Sequence, residues 1–285
     1  MTADMAVVSI VKGNNPVEMV VEALELVKAE SVLTREDRIL VKPNYIDASH
    51  PLTGNTTDAR IIEGTVKFLK QKGFNNIVIG EGSGLSNTKK AYKVAGVDEV
   101  ADRWKVGLVD LNDDEYVTID VSNPLALRKV RISKMALSSA IISVAKLKLH
   151  RMAGVTLSLK NLMGVISPKG QIHHHLSEKI ADLASVVKPR VAVIDGIVGG
   201  EGWELAGNLV KMDLVIAGLD PVAVDTVGAE VMGFNLEKAN HILLAAEKGL
   251  GVCNMERIEV IGEPIEKVTK KFKPSIQSYL FSRLG

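Results

Sequence analysis

Short β-branched runs alternate with amphipathic stretches along the first half of the chain. Residues 6–11 predict a strand, and residues 16–29 a helix whose apolar positions Val17, Val20, Val21, Leu24 and Val27 recur at helical spacing. Residues 39–42 predict a second strand, 58–72 a helix closed by Gly73, and 77–80 a third strand. This β-α-β-α-β order favours an α/β fold with a mostly parallel, doubly wound sheet and helices on both faces. Residues 106–110, 116–121 and 127–132 read as shorter strands with polar turns between them, which predicts a small β insert over about 106–132. The rhythm then returns with a strand at 140–145, a helix at 177–187, strands at 191–194 and 214–217, and a helix over 221–232 that starts on Pro221. Residues 267–285 turn from basic to apolar and aromatic, which predicts a terminal helix or a subunit contact in a homodimer. No repeat, low-complexity tract or linker breaks the pattern, so residues 1–285 are expected to form a single α/β domain.

Composition narrows the picture. The chain is 46% hydrophobic but only 4% aromatic, so its core must be aliphatic. Lys plus Arg number 35 against 34 Asp plus Glu, which leaves no global field to attract nucleic acid or an acidic membrane. A single cysteine, Cys253, excludes an internal disulfide and a cysteine-ligated iron–sulfur cluster within this chain, and it reads as a small apolar residue. The opening MTADMAVVSIVKG has no basic segment before its apolar run, and no apolar stretch approaches the ~20 residues of a membrane span. A soluble, cytoplasmic protein is therefore expected.

Ligands of such sheets sit beyond the carboxyl ends of the strands, and three segments fall there. The first is KPNYIDASHPLTGNTT, a loop long enough for a binding loop or lid. Lys42 and Asn44 offer donors to an anion at its start, and Thr56 lies near its end; Lys42 could equally be a solvated surface lysine. The second is GEGSG at 80–84, where Gly82 and Ser83 suit either a phosphate-cradling turn or a plain tight turn with a polar rim.

The third segment, residues 146–175, holds four of the six histidines, four lysines and an arginine. Lys146 and Lys148 alternate along a strand end and share a side, so an anion between them would relieve their repulsion. Lys160 and Asn161 fall in TLSLKNLMG, which can open a helix capped by Thr156; the lysine either snorkels or is placed for use. His173 and His175 share one side of an extended chain and could reach a divalent metal, while His174 points away. Polar surface is the competing explanation for that triplet. Further on, Asp195 ends a strand, and the glycine-rich loop expected to Gly202, whose glycines imply mobility or close backbone approach to something bound, carries Glu201, a candidate base or metal ligand. Asp220 caps the last helix, whereas Asp225 inside it needs a partner if buried.

The succession VKPNY, GEGSG, KLKLH, TLSLKNLMG, the histidine cluster, VIDGIVGGEG and GLDPVAVD resembles the family catalogued as domain of unknown function 362. That resemblance implies no reaction. More distantly, His150, Gly154, Lys160 and His175 follow the order of a motif in the N-terminal domain of the nickel-pincer lactate racemases. The likeness implies a cofactor tether at Lys160, a metal ligand at His175 or His173 and an acid/base at His150. The arginine-and-aspartate substrate motif of those enzymes is not evident here, and Asn161-Leu162-Met163 departs from them, which favours a shared scaffold over a shared cofactor.

These residues together point to an isomerase or lyase acting on a small anionic metabolite, a carboxylate or phosphate. Lys42, Lys146 and Lys148 would draw the anion in, Asn44, Thr56, Gly82, Ser83 and Asn161 would line its site, and His150 would exchange a proton beside Lys160. A metal held by His173, His175 and Glu201 would assist. A racemase-like protein with a Lys-tethered nickel cofactor and a non-catalytic ligand or metal scaffold are the rival expectations.

Overall fold

The computed structural model describes residues 5–205 and 208–275. β1 (Ala6–Lys12) leads into α1 (Pro16–Leu26), which stops short of the expected 16–29 because Lys28 adopts a left-handed conformation and a 3₁₀ turn follows. β2 (Ile39–Lys42), α2 (Ala59–Gln71) and β3 (Ile77–Glu81) follow as the hydrophobic pattern predicts. The Asp58 carboxylate caps α2 by accepting from the Arg60 amide. α3 (Thr88–Ala95) and α4 (Val97–Trp104) then lead to β4 (Gly107–Asp110).

β4 pairs parallel with β3 at the edge of the main sheet, so the insert is smaller than expected. Only β5 (Tyr116–Asp120) and β6 (Lys129–Ser133) form a separate antiparallel pair. After α5 (Lys134–Leu137), β7 (Ala140–His150) runs well past the predicted 140–145, because Lys146 and Lys148 are accommodated inside the sheet. β8 (Gly154–Thr156) folds back on β7, and α6 (Ser158–Asn161) follows. Next come α7 (Leu176–Val186), β9 (Val191–Gly200), β10 (Leu209–Gly218), α8 (Pro221–Val231), α9 (Asn240–Glu247), β11 (Ile258–Gly262) and α10 (Ile265–Val268). Of the expected terminal helix or subunit contact at 267–285, residues 269–275 are not helical and bury Phe272, and residues 276–285 lie outside the described residues.

The main sheet is ordered β11-β1-β10-β9-β7-β2-β3-β4. Along that path neighbours are parallel except where β10 meets β1 and β9. Alternation along the strands splits the core between two faces: Ile39, Val41, Ile142, Val144, Val191 and Val193 pack toward α1 to α4. Leu40, Ile141, Ala192, Ile194, Leu214 and Ile216 pack on the other face, toward α7, α8 and α9. No helix of the described residues is long and apolar enough to cross a membrane.

Two structural details govern what happens at the strand ends. The Lys146 ammonium lies 2.8 Å from Asp195 Oδ2, with both side chains essentially buried. Asp195 also accepts from the amides of Asp58 and Ile197, so one carboxylate ties β7, β9 and the start of α2. The glycine-rich stretch after Asp195 was expected to be a loop but continues β9, and its glycines serve close packing. A Cβ on Gly199 would sit 2.5 Å from the Phe272 ring, and one on Gly200 2.8 Å from the Gly54 carbonyl.

Gly64 shows the same logic between helices. Its absent side chain lets α2 approach α1, since a Cβ would lie 2.6 Å from the Val17 carbonyl oxygen. On an open helix, Gly→Ala stabilises by about 0.5–1 kcal/mol. Here Gly64→Ala is expected to destabilise by about 1–3 kcal/mol, read as a lower urea midpoint at unchanged m.

Candidate functional site

A cavity of about 270 Å³ opens beyond the carboxyl ends of β2, β3 and β7. Its floor is a buried polar network. The Lys42 ammonium, fully enclosed, donates to both Glu81 oxygens (2.8 and 2.9 Å), to the Pro43 carbonyl and to Asn161 Oδ1. Burial lowers the Lys42 pKa and the Glu81 charge opposes that fall, so the two form a neutral unit. Asn161 also accepts from Asn44 Nδ2 and donates to the Lys42 carbonyl and Ser143 Oγ. A Cβ on Gly164 would overlap the Glu81 carboxylate, so only glycine lets the chain pass there.

The α6 turn that carries Lys160 and Asn161 is held by a residue distant in sequence. Asp225 accepts from the amides of Ser158 and Leu159 and from Ser158 Oγ at 2.6–2.9 Å. Burial pushes Asp225 up to about 7, against the pull of these donors. Thr156, expected as the cap, lies in β8 instead, because the chain turns back on β7 before the helix begins.

Above the floor stand two lysines without a carboxylate partner among the described residues. The Lys148 ammonium, on a side chain only 2% exposed, donates to the carbonyls of Asn55 (2.7 Å) and Glu204 (3.3 Å). Lys160 lines the cavity, and its Nζ lies 2.9 Å from the Met163 thioether. The Glu204 carboxylate is occupied by Arg151, through Nε at 2.9 Å and the main-chain amide at 3.0 Å. Burial, reinforced by the Lys160 charge, lowers Lys148 to about 7. Burial likewise lowers Lys160 to about 8, with Glu204 opposing and Lys42 adding to the fall.

His150 takes a defined form between them. Its Nδ1 accepts from the amides of Met152 and Ala153, both at 3.1 Å, so the ring proton sits on Nε2, 4.0 Å from Glu204. Burial, then the charges of Lys160 and Lys148, keep its pKa well below the ordinary histidine value. The neutral ring is thus a hydrogen-bond donor, and the expected proton exchange at His150 has no free lone pair to use.

The expected site residues divide. Asn44, Gly82, Lys148, His150, Lys160, Asn161 and His173 line the cavity. Lys42 and Lys146 do not, because Glu81 and Asp195 hold their ammonium groups below it. Thr56 donates to the Ser49 carbonyl and Ser83 to the Tyr45 carbonyl, so both brace loops. The GEGSG turn cannot cradle a phosphate on its amides. The Gly82, Ser83 and Gly84 N–H groups already bond Glu81, Thr88 and the Ile46 carbonyl.

The metal set does not come together. His173 faces the cavity, but the His175 side chain is 72% exposed beside Glu178. Glu201 accepts from the Lys273 amide and the Asn208 side chain. Among the described residues no three His, Cys, Asp or Glu side chains are grouped to hold a metal ion. Of the racemase-like order, His150 and Lys160 line the cavity together with His173, whereas His175 lies at the surface.

Four residues escaped the sequence reading. Arg151, Glu204 and Lys169 line the cavity, and His241 is fully buried in α9 with neither ring nitrogen hydrogen-bonded. Burial, then the Lys160 charge, drives His241 down to about 3. Arg151 sits beside His150 and could have been found from it; Glu204 and His241 carry no local motif.

The lowered lysines link stability to pH. Between their folded values of about 7 and 8 and the ordinary 10.5, they bind fewer protons folded than unfolded, so stability rises with pH through that window. Lys148→Met removes one such group. The expected outcome is a urea midpoint that climbs from pH 7 to 10 more steeply in the wild type than in Lys148→Met; parallel profiles would contradict the assignment.

The profile of the family Domain of unknown function (DUF362) matches residues 39–230, a span that contains every cavity residue named above. A thylakoid-associated protein of a Synechocystis species is 23% identical over 227 residues, covering 76% of this chain and 68% of that protein.

Proposed function

We propose that this chain, which belongs to the Domain of unknown function (DUF362) family, binds a small anionic metabolite and moves a proton on it. One observation carries the proposal: buried Lys148 and half-buried Lys160 stand at a cavity without a carboxylate partner among the described residues, whereas Lys42 and Lys146 each have one. An incoming carboxylate or phosphate would supply the missing countercharge and offset the cost of burying the ammonium groups.

Proton transfer at a carbon beside a carboxylate suits the same groups. Lys148, lowered to about 7, can accept a proton near neutrality. Lys160 and the Nε2–H of His150 can donate to an enolate oxygen as charge develops there. The class is isomerase or lyase, and the expected location remains the cytoplasm.

A second function, ligand carriage without turnover, is favoured by the capping of His150 Nδ1, which removes the usual imidazole base. Calorimetric titration of the full chain with oxalate, lactate and inorganic phosphate separates the cases when paired with α-proton exchange of lactate in deuterated buffer. Lys148→Ala is expected to weaken binding about ten- to a hundredfold, the worth of a charge-assisted hydrogen bond. It should also slow exchange by about 10²–10⁴. Binding without exchange in the wild type would leave the carrier; no binding of any of the three would overturn the anion site.

A further inference from the structure

The two lysines that lack a carboxylate partner among the described residues are not equivalent, and the difference suggests chemistry beyond charge pairing. Lys148 Nζ is directed by two carbonyl oxygens, which fix the ammonium as a hydrogen-bond donor. Lys160 Nζ meets a thioether, a weak acceptor that leaves the nitrogen lone pair uncommitted, and the residue opens to the cavity. An amine placed this way is a nucleophile waiting for an electrophilic carbon.

The cavity wall supplies two further clues. Asn44 Oδ1 and Thr156 Oγ1 are buried without hydrogen-bond partners among the described residues, on residues that line the cavity. Asn44 cannot be turned to relieve this. Asn161 Oδ1 accepts from the Lys42 ammonium, so the atom that Asn44 presents to it must be the amide nitrogen. Asn44 Oδ1 is left as an acceptor in want of a donor, and neither a carboxylate nor a ketone brings one. A hydroxyl formed during reaction does.

We propose that Lys160 forms an imine with the carbonyl group of a small 2-oxo acid. The inference rests on the anion site proposed above, which would hold the acid's carboxylate through Lys148. The neutral Lys160 amine adds to the carbonyl carbon, a C–N bond forms, and the π pair moves to oxygen, which takes a proton as the nitrogen gives one up. The product is a carbinolamine whose new hydroxyl can donate to Asn44 Oδ1. A proton from the Lys148 ammonium then converts that hydroxyl to water, the C–O bond breaks, and the nitrogen lone pair closes the C=N bond. The net change joins the neutral Lys160 amine, the carbonyl and one proton from the Lys148 ammonium into a protonated imine, releases one water and leaves Lys148 neutral. No oxidant or reductant is needed. The resulting iminium withdraws electrons from the adjacent carbon, and a proton there becomes acidic enough for Lys148 to remove.

The test is reductive trapping. The full chain is incubated at pH 7 with pyruvate or glyoxylate and sodium cyanoborohydride, then analysed by intact mass and peptide mapping. A lysine lowered from 10.5 to about 8 carries roughly three hundredfold more free amine at pH 7 than an ordinary lysine. Lys148 has free amine too, but its Nζ is held by the Asn55 and Glu204 carbonyls, so one adduct is expected, on Lys160, forming on the order of a hundredfold faster than at exposed Lys89. Lys160→Arg should abolish it, and the wild-type chain should still bind oxalate, which has no electrophilic ketone.

Oxalate binding without an adduct at Lys160 overturns the imine and leaves the anion site standing. Failure of both oxalate binding and trapping removes both proposals. An adduct distributed over surface lysines at similar rates also overturns the imine. Mapping on the wild-type chain locates the adduct even if Lys160→Arg does not fold.

Discussion

Enclosing ammonium groups at the carboxyl end of a largely parallel sheet is the constraint on which the rest of the structure depends. Three lysines, Lys42, Lys146 and Lys148, are almost wholly buried there, and Lys160 faces the same region from α6. A buried charge is tolerated when it is paired and its hydrogen bonds are satisfied. Lys42 and Lys146 meet that condition through Glu81 and Asp195, and the partners are woven into the backbone. Glu81 accepts from the Tyr45 and Gly82 amides, and Asp195 from those of Asp58 and Ile197. Lys148 and Lys160 meet it only in part, so their lowered proton affinity is a physical consequence of where the fold puts them.

The walls that impose this burial come from segments far apart in the chain. The long loop after β2 lies across β9, where Gly200 admits the Gly54 carbonyl, and its Asn55 carbonyl takes the Lys148 ammonium. Asp225 of α8 fixes the turn that presents Lys160, while Glu204, beyond β9, is held by Arg151 just past the carboxyl end of β7. Loss of any one of these supports would admit water to the lysines and return them toward ordinary behaviour.

Much of this architecture was legible in the sequence. Alternating β-branched runs located β1, β2, β3 and β7, and the segment from Lys146 to His175 supplies several of the residues that line the cavity. What escaped were matters of tertiary pairing. Nothing local distinguishes Lys42, neutralised by Glu81, from Lys148, which is not; strand neighbours decide it. The glycines after Asp195 left mobility and close approach to a bound group both open, whereas Gly199 and Gly200 make room for Phe272 and Gly54, contacts that periodicity cannot foresee. The histidine triplet drew attention by composition alone, and the fold leaves His175 at the surface. His150 kept its place but changed its role, because a turn of two amides claims the nitrogen that a base would need.

The central claim is that the cavity holds two lysines deprived of their ordinary proton affinity by enclosure. It is tested most directly by following the side-chain carbons of [ε-¹³C]lysine by NMR from pH 6 to 11, with Lys148→Arg and Lys160→Arg assigning the resonances. The account predicts two resonances that titrate near 7 and 8, and that move back toward 10.5 when oxalate fills the cavity. Lysines that all titrate near the ordinary value, with and without oxalate, would contradict it.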